Sequence, residues 1–93
     1  MIDTVLGWNF EAVPGKFDEL AHAAGLAGGG AAFVPWLRAL KARIGIEGGL
    51  ARHGVKPEQL PRLAELAAAD FTNGTNPRPA GAADYERLLR QAM

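Results

Sequence analysis

The chain has 93 residues, ten basic and ten acidic side chains that give a formal net charge of zero, and neither cysteine nor serine. Its length fits one domain, and the two missing residue types exclude disulfides, thiolate metal sites and cysteine or serine nucleophiles. The balanced charge argues against nucleic-acid binding, and no apolar run approaches the ~18 residues of a membrane span, so we expect a cytoplasmic protein without membrane association.

Two helices are predicted before the glycine-rich segment. Asp3 or Thr4 is placed to cap a short first helix. A second helix begins at Pro14, a favourable residue in a first turn, and ends before Gly25. Its apolar face follows the i, i+3, i+4, i+7 spacing and comprises Phe17, Leu20, Ala21 and Ala24.

Residues 26–32, LAGGGAA, form a glycine-rich connection. Three successive glycines could cradle a phosphate at the start of a helix. Neither a following Lys-Ser/Thr pair nor a GxGxxG spacing after a strand is present, so a flexible linker is the favoured interpretation.

The clearest helical pattern occupies residues 31–44. Pro35 suits the first turn of this helix, and Arg38, Lys41 and Arg43 are interpreted as a solvated face. The predicted apolar stripe, widened by Trp36, comprises Phe33, Leu37, Leu40 and Ile44.

The C-terminal half is predicted to hold a short helical turn over residues 47–53, ended by Gly54, and two longer helices. The first spans about residues 58–69, and its buried face comprises Leu60, Leu63, Ala64 and Ala67, with Leu66 beside them. The second lies within residues 80–93 and repeats the spacing with Tyr85, Leu88, Leu89 and Ala92. No segment alternates with the period of a strand, so the sequence predicts an all-α fold, a small bundle of about five helices with short loops.

The residue types that usually perform catalysis form no constellation. His22 and His53 lie in different segments, and neither has a second metal ligand at helical spacing. The acidic side chains show no pattern beyond solvated faces. From residue chemistry alone, the chain lacks the parts of an enzyme.

The most polar stretch is residues 71–79, FTNGTNPRP. A residue that precedes proline is pushed out of helical conformation, which stiffens the end of this segment. Its amides and hydroxyls could satisfy backbone groups at helix ends, or they could line a polar pocket. The residues alone favour the first role and leave the second open.

Several segments, taken in order, resemble the iron-containing (group III) alcohol dehydrogenases. VLGWNFEAVPGKFDELAHAAGL is similar to the region that follows the last metal-binding histidine of that family. The rest is similar to the C-terminal end: a long helix, the IGI pair, a GL…GV segment, LPRLAELA, an NPR loop and a final helix with DY…LL. The resemblance implies the end of the helical domain of the dehydroquinate synthase-like fold, so residues 1–93 are expected to form a single partial helical domain.

The resemblance implies an oxidoreductase that binds NAD(P) in an N-terminal α/β domain and Fe²⁺ or Zn²⁺ through one Asp and three His on the helical side. In that family the metal polarises the alcohol or carbonyl oxygen, and hydride passes between the same carbon and the nicotinamide. The last metal histidine lies in a pattern such as LPHVxxWN, which residues 2–9, IDTVLGWN, match. Its position is occupied by Thr4, which has no imidazole nitrogen. We therefore expect no metal and no cofactor to bind this chain by itself.

The resemblance separates two roles within the polar segment. Asn76, Pro77 and Arg78 match the NPR motif and are expected to brace the loop between its two helices. Thr72 occupies a position that is often Cys in the family. Thr72 and Asn73 are therefore the candidates for the substrate side of the cleft.

Two functions remain open from the sequence. The first is a C-terminal helical fragment of such a dehydrogenase, inactive by itself and partnered by the missing upstream domain. The second is a free-standing helical module for interaction or dimerisation. Its self-association would use an exposed apolar surface formed by Trp8, Phe10, Phe33 and Trp36.

Overall fold

The computed structural model describes residues 1–93, and its secondary structure contains helices and turns but no strand. The predicted all-α class with five helices is confirmed. The helices are α1 (Ile2–Ala12), α2 (Pro14–Ala23), α3 (Phe33–Arg43), α4 (Leu60–Ala69) and α5 (Ala82–Gln91). Short 3-10 turns lie at Gly30–Ala32, Leu50–His53, Pro57–Gln59 and Phe71–Thr75. No helix has both the length and the apolar character that crossing a membrane requires.

The chain folds into two compact units. The first comprises Ile2–Glu47 and contains α1, α2 and α3; the second comprises Gly48–Met93 together with Met1 and contains α4 and α5. The sequence predicts a single partial domain over residues 1–93. The division into two compact units does not decide that point, and it stays a prediction.

Aromatic rings from three helices meet in the core of the first unit. Phe17 of α2 is 2% exposed. Its ring centroid lies 5.4 Å from that of Phe10 on α1 and 5.9 Å from that of Phe33 on α3, both edge-on. The Phe33 ring also lies 5.6 Å from Trp36. Edge-to-face contacts at such distances are a favoured arrangement of aromatic rings, so this row joins the three helices.

The predicted apolar face of α2 is only half correct. Phe17 and Ala21 are buried, whereas Leu20 and Ala24 are exposed. Helix α2 packs mainly against the narrow Gly30–Ala32 turn. A partner this narrow covers one line of side chains at i and i+4 and leaves the neighbouring line in solvent.

The predicted stripe of α3 is wrong at its last position. Ile44 is 61% exposed, because α3 ends at Arg43 and Gly45 then turns the chain away with a φ of 84°. The other three predicted positions are half-buried. Val34, which the predicted spacing omitted, is the buried residue of this helix.

The glycine-rich segment packs closely against α2, so the predicted flexible linker is wrong. Gly30 is buried, and its backbone N–H donates to the Oδ1 atom of Asp18 at 2.7 Å. A Cβ atom at Gly30 would lie 2.9 Å from the backbone of Phe17 and Asp18. Only glycine allows this close approach, and the amide that a phosphate would require is bonded to the chain's own carboxylate.

Asp3 forms ion pairs with α3 instead of capping α1. Helix α1 begins at Ile2, so Asp3 and Thr4 lie inside its first turn. The Lys41 ammonium donates to Asp3 Oδ1 at 2.7 Å, and Arg38 Nε donates to Oδ2 at 3.2 Å. The Lys41 hydrogen bond is the main cause that lowers the pKa of Asp3 to about 2, against the opposing effect of burial. Lys41, predicted to be solvated, therefore joins α3 to α1.

Helices α4 and α5 pack against each other in the second unit. The predicted apolar face of α5 is confirmed, and so are the four main positions of the α4 face, since each of these residues is buried or half-buried. Leu66, predicted beside the α4 face, is 51% exposed, so that part of the prediction is wrong. Gly54 ends the turn Leu50–His53 in left-handed conformation, as predicted, with a φ of 88°. The core comprises Leu60, Ala64 and Leu89, with Leu50, Val55, Leu63, Tyr85 and Met93 packed against it.

Candidate substrate-facing loop

The polar segment between α4 and α5 begins as a helical turn, Phe71–Thr75, which Asp70 caps. Asp70 Oδ1 accepts hydrogen bonds from the Thr72 backbone N–H at 2.8 Å and from the Thr72 hydroxyl at 2.5 Å. Such bonds satisfy donors at the start of a helical turn that have no intrahelical partner. The hydroxyl first, and the backbone N–H second, lower the pKa of Asp70 below its ordinary value.

Asn73, at the centre of the turn, is bonded to the elements on both sides. Its Nδ2 atom donates to the carbonyl oxygens of Ala68 and Ala80, each at 3.1 Å. Its Oδ1 atom accepts a bond from the Tyr85 hydroxyl at 2.6 Å. Ala68 belongs to α4 and Tyr85 to α5, and a side-chain amide has only two donor hydrogens. Asn73 therefore uses both donors and its acceptor oxygen to hold the turn between the two helices.

The NPR motif is held by bonds within the segment. Asn76 Nδ2 donates to the Arg78 carbonyl at 2.6 Å, and the Asn76 backbone N–H donates to the Asn73 carbonyl at 3.2 Å. The ψ of 133° at Asn76 is the extended conformation that a following proline imposes. This geometry suits the bracing role expected of Asn76, Pro77 and Arg78, which stays a prediction.

The segment ends where Asp84 caps the start of α5. The Gly81 backbone N–H donates to Asp84 Oδ2 at 3.1 Å, and Arg87 pairs with the other carboxylate oxygen. The Gly81 bond is the main cause that lowers the pKa of Asp84, followed by the Arg87 bond. Asp84 thus lies in the first turn of α5.

The outer face of the turn carries Phe71 and Thr72. Phe71 is 90% exposed, the highest value among the large exposed apolar side chains, and Thr72 is also exposed. The Thr72 hydroxyl donates to Asp70 and keeps acceptor capacity of its own. Together they offer an apolar surface beside a hydrogen-bonding group. Sequence reasoning missed Phe71, whose only signal is a large apolar residue outside the spacing of α4.

The described residues do not by themselves form a metal site. No group of three or more His, Cys, Asp or Glu side chains is arranged to hold an ion. Thr4, at the position where the resemblance places a metal histidine, is half-buried and offers a hydroxyl in place of an imidazole. His22 and His53 are both exposed and belong to different units. The donor set of this chain therefore does not fit Fe²⁺ or Zn²⁺.

Comparison with known proteins gives two similarities. Residues 1–93 match the family described as "Fe-containing alcohol dehydrogenase family, C-terminal". A 4-hydroxybutyrate dehydrogenase from Cupriavidus necator is 39% identical over 51 residues, which are 55% of this chain. The same stretch is 13% of that relative's length, so the similarity concerns a small part of the relative. No solved structure matches the chain.

Proposed function

The chain belongs to the iron-containing alcohol dehydrogenase family and matches its C-terminal part, and on this premise we propose that it serves as the C-terminal helical part of an oxidoreductase that interconverts alcohols and aldehydes with NAD(P). The family match over residues 1–93 is the observation that carries this proposal. The cytoplasm is the compartment we propose for it, on composition alone.

In the complete enzyme that we propose, the turn Phe71–Thr75 lies on the substrate side of the cleft. The exposure of Thr72 supports a direct contact between its hydroxyl and the substrate oxygen. Asn73 stays a candidate on the same side. Because its polar atoms are bonded to Ala68, Ala80 and Tyr85, its contribution is to hold Thr72 in place. The name of the Cupriavidus relative makes 4-hydroxybutyrate the first substrate to examine.

A chimera would test this proposal. The C-terminal segment of the Cupriavidus 4-hydroxybutyrate dehydrogenase is replaced by residues 5–93, so that the chimera keeps that enzyme's own residue at the position of Thr4, and oxidation of 4-hydroxybutyrate is followed through NADH. We expect activity to be retained, and Thr72→Ala to raise KM. The matched control is Thr75→Ala, whose hydroxyl bonds only the Thr72 carbonyl and which should leave KM unchanged. A folded chimera that binds NAD⁺ and metal without turnover would contradict the proposal.

We also propose that the 93-residue chain is inactive alone and binds neither NAD(P) nor the family's metal. Fe²⁺ or Zn²⁺ supplies Lewis-acid polarisation of a substrate oxygen when it is bound, and this chain lacks a donor set for it. Isothermal titration with NADH, and separately with Zn²⁺, should show no micromolar binding. Micromolar binding of either one, or turnover of 4-hydroxybutyrate with NAD⁺, would overturn this part.

The alternative function is a free-standing helical interaction module without catalysis. The four residues predicted for its surface, Trp8, Phe10, Phe33 and Trp36, are half-buried. What favours the alternative is a different set of large apolar side chains that are exposed: Met1, Ile2, Leu20, Ile44, Ile46, Leu66 and Phe71. Light scattering coupled to size exclusion tests this alternative, and a strict monomer at high concentration would contradict it.

A further inference from the structure

Asn73 is followed by Gly74, and this pair carries a chemistry that the dehydrogenase proposal does not use. An Asn side chain can be attacked at Cγ by the backbone nitrogen of the next residue, and a following glycine leaves that nitrogen unhindered because it has no Cβ. The new bond joins Gly74 N to Asn73 Cγ. The Cγ–Nδ2 bond breaks, and ammonia leaves with the former Gly74 amide proton. Water then opens the cyclic imide to aspartate or isoaspartate.

Three hydrogen bonds of the Asn73 side chain oppose this ring closure. Closure requires Asn73 Cγ to rotate toward Gly74 N, which would break the bonds to Ala68 and Ala80 and the bond from Tyr85. The pair also lies inside a 3-10 turn, whose helical backbone angles are maintained by the bonds at both of its ends.

The next asparagine provides an internal reference. Asn76 precedes Pro77, and proline has no N–H to lose. Asn76 therefore cannot undergo the same reaction, whether the loop is folded or unfolded. Asn73 and Asn76 lie three residues apart, so one peptide reports on both.

We propose that Asn73–Gly74 is a masked site of spontaneous deamidation, which the Tyr85 hydroxyl and the two alanine carbonyls keep closed in the folded chain. Once formed, a carboxylate has no N–H to donate. Its oxygen would face the carbonyl oxygens of Ala68 and Ala80, two acceptors without a donor between them. The turn then loses its bonds to the Ala68 carbonyl of α4 and to the Ala80 carbonyl, and the change is irreversible. This inference does not rest on the proposed function.

The test is incubation of the 93-residue chain at mildly alkaline pH, in buffer and in urea, with peptide mass spectrometry that separates Asn, Asp and isoaspartate. We expect deamidation at Asn73 to be at least ~10-fold slower in buffer, because only the locally opened fraction reacts. Asn76 should stay intact in both conditions. Equal rates at Asn73 in buffer and in urea would overturn the proposal.

Two variants identify the group that masks the site. Tyr85→Phe keeps the ring and removes only the hydroxyl, and it should speed deamidation at Asn73 several-fold in buffer and leave the rate in urea unchanged. Arg90→Gln, on the exposed side of the same helix, should change neither rate. Circular dichroism reports whether each variant is folded. A folded Tyr85→Phe variant with the wild-type rate would contradict the role of the hydroxyl, and if this variant unfolds, the wild-type comparison decides the proposal.

Asn73→Asp examines the consequence separately. Hydrogen exchange of the Asn73 and Asn76 backbone amides, which donate to Asp70 and Asn73 carbonyls, should become faster than in the wild type. Unchanged exchange would show that the turn tolerates the carboxylate, against the second half of the proposal.

Discussion

At the scale of residues, a few polar side chains and one glycine make contacts that helical spacing does not predict. Asp3 pairs with Lys41, and Asp18 accepts the backbone N–H of Gly30. Each partner is far along the sequence, so a pattern within one helix contains no trace of it. The same charged residues on an isolated helix would be interpreted as solvated, as Lys41 was.

Asp3→Asn is expected to lower the free energy of unfolding of the first unit by about 1–2 kcal/mol at neutral pH. The pKa of Asp3 lies near 2, below the 3.8 of a free side chain. The stabilisation is therefore complete above pH ~4 and is lost as the pH falls toward ~2. Urea unfolding followed by the fluorescence of Trp8 and Trp36 measures the difference.

The control for Asp3 is Glu19→Gln, an exposed acid on α2 that should change stability little. The difference between Asp3→Asn and the wild type should disappear at the acidic end of the range. A difference that is the same at every pH would contradict the ion pair.

Gly30→Ala is expected to destabilise the first unit by about 1–3 kcal/mol, because the added methyl overpacks the contact with α2. The matched control is Gly15→Ala within α2. A Cβ there meets nothing within 4 Å, and alanine should stabilise the helix by about 0.5–1 kcal/mol. Thermal unfolding of both variants gives the comparison. Equal shifts of Tm in the same direction would be inconsistent with close packing at Gly30.

At the scale of elements, the polar segment is an integral part of the α4–α5 pair. Its turn is bonded to the helix before it through Ala68 and to the helix after it through Tyr85, with Asn73 as the common partner. The two readings left open by the sequence are therefore compatible. The inner side of the segment satisfies helix ends, and its outer side leaves Phe71 and Thr72 free for contact with solvent or a ligand.

Asn73→Ala should lower the stability of the second unit by about 2–3 kcal/mol, since it removes three hydrogen bonds and leaves the Tyr85 hydroxyl and two carbonyls without this partner. Thr75→Ala removes one exposed bond and should cost about 0.5–1 kcal/mol. Hydrogen exchange of the α4 and α5 amides measures both effects. A loss for Asn73→Ala no larger than for Thr75→Ala would show that the network contributes little.

At the scale of the whole molecule, the chain combines zero net charge with several exposed large apolar side chains. Little charge repulsion keeps copies apart, and exposed apolar surface favours association. The chain should therefore associate at high concentration whichever function it serves.

Ile44→Lys should shift the chain toward monomer, because it removes a 61% exposed apolar side chain and adds one charge. Gln59→Lys adds the same charge at an exposed polar position and separates the two causes. Light scattering over a concentration series should show a larger shift for Ile44→Lys. Equal shifts would assign the effect to net charge alone.

The sequence by itself determined the all-α class, the approximate bounds of α2 to α5, Gly25 after α2, Gly54 after the turn Leu50–His53, and most of the apolar faces of α4 and α5. These features depend on spacing and on conformations that one or a few neighbouring residues fix. The ordered resemblance of its segments also determined the family. The substrate-side and structural roles of the polar segment stay predictions.

Only the tertiary structure decided which half of the α2 face is covered, that Val34 is buried while Ile44 is exposed, and that the glycine-rich segment is a close contact. It also decided that Asn73 binds Tyr85 and that Phe71 faces solvent. Each of these depends on which element lies opposite a side chain, and the distance along the chain between the two partners hides that from any local pattern. Periodicity gives the side of a helix that prefers burial, and the width and shape of the neighbouring element decide how much of that side is buried.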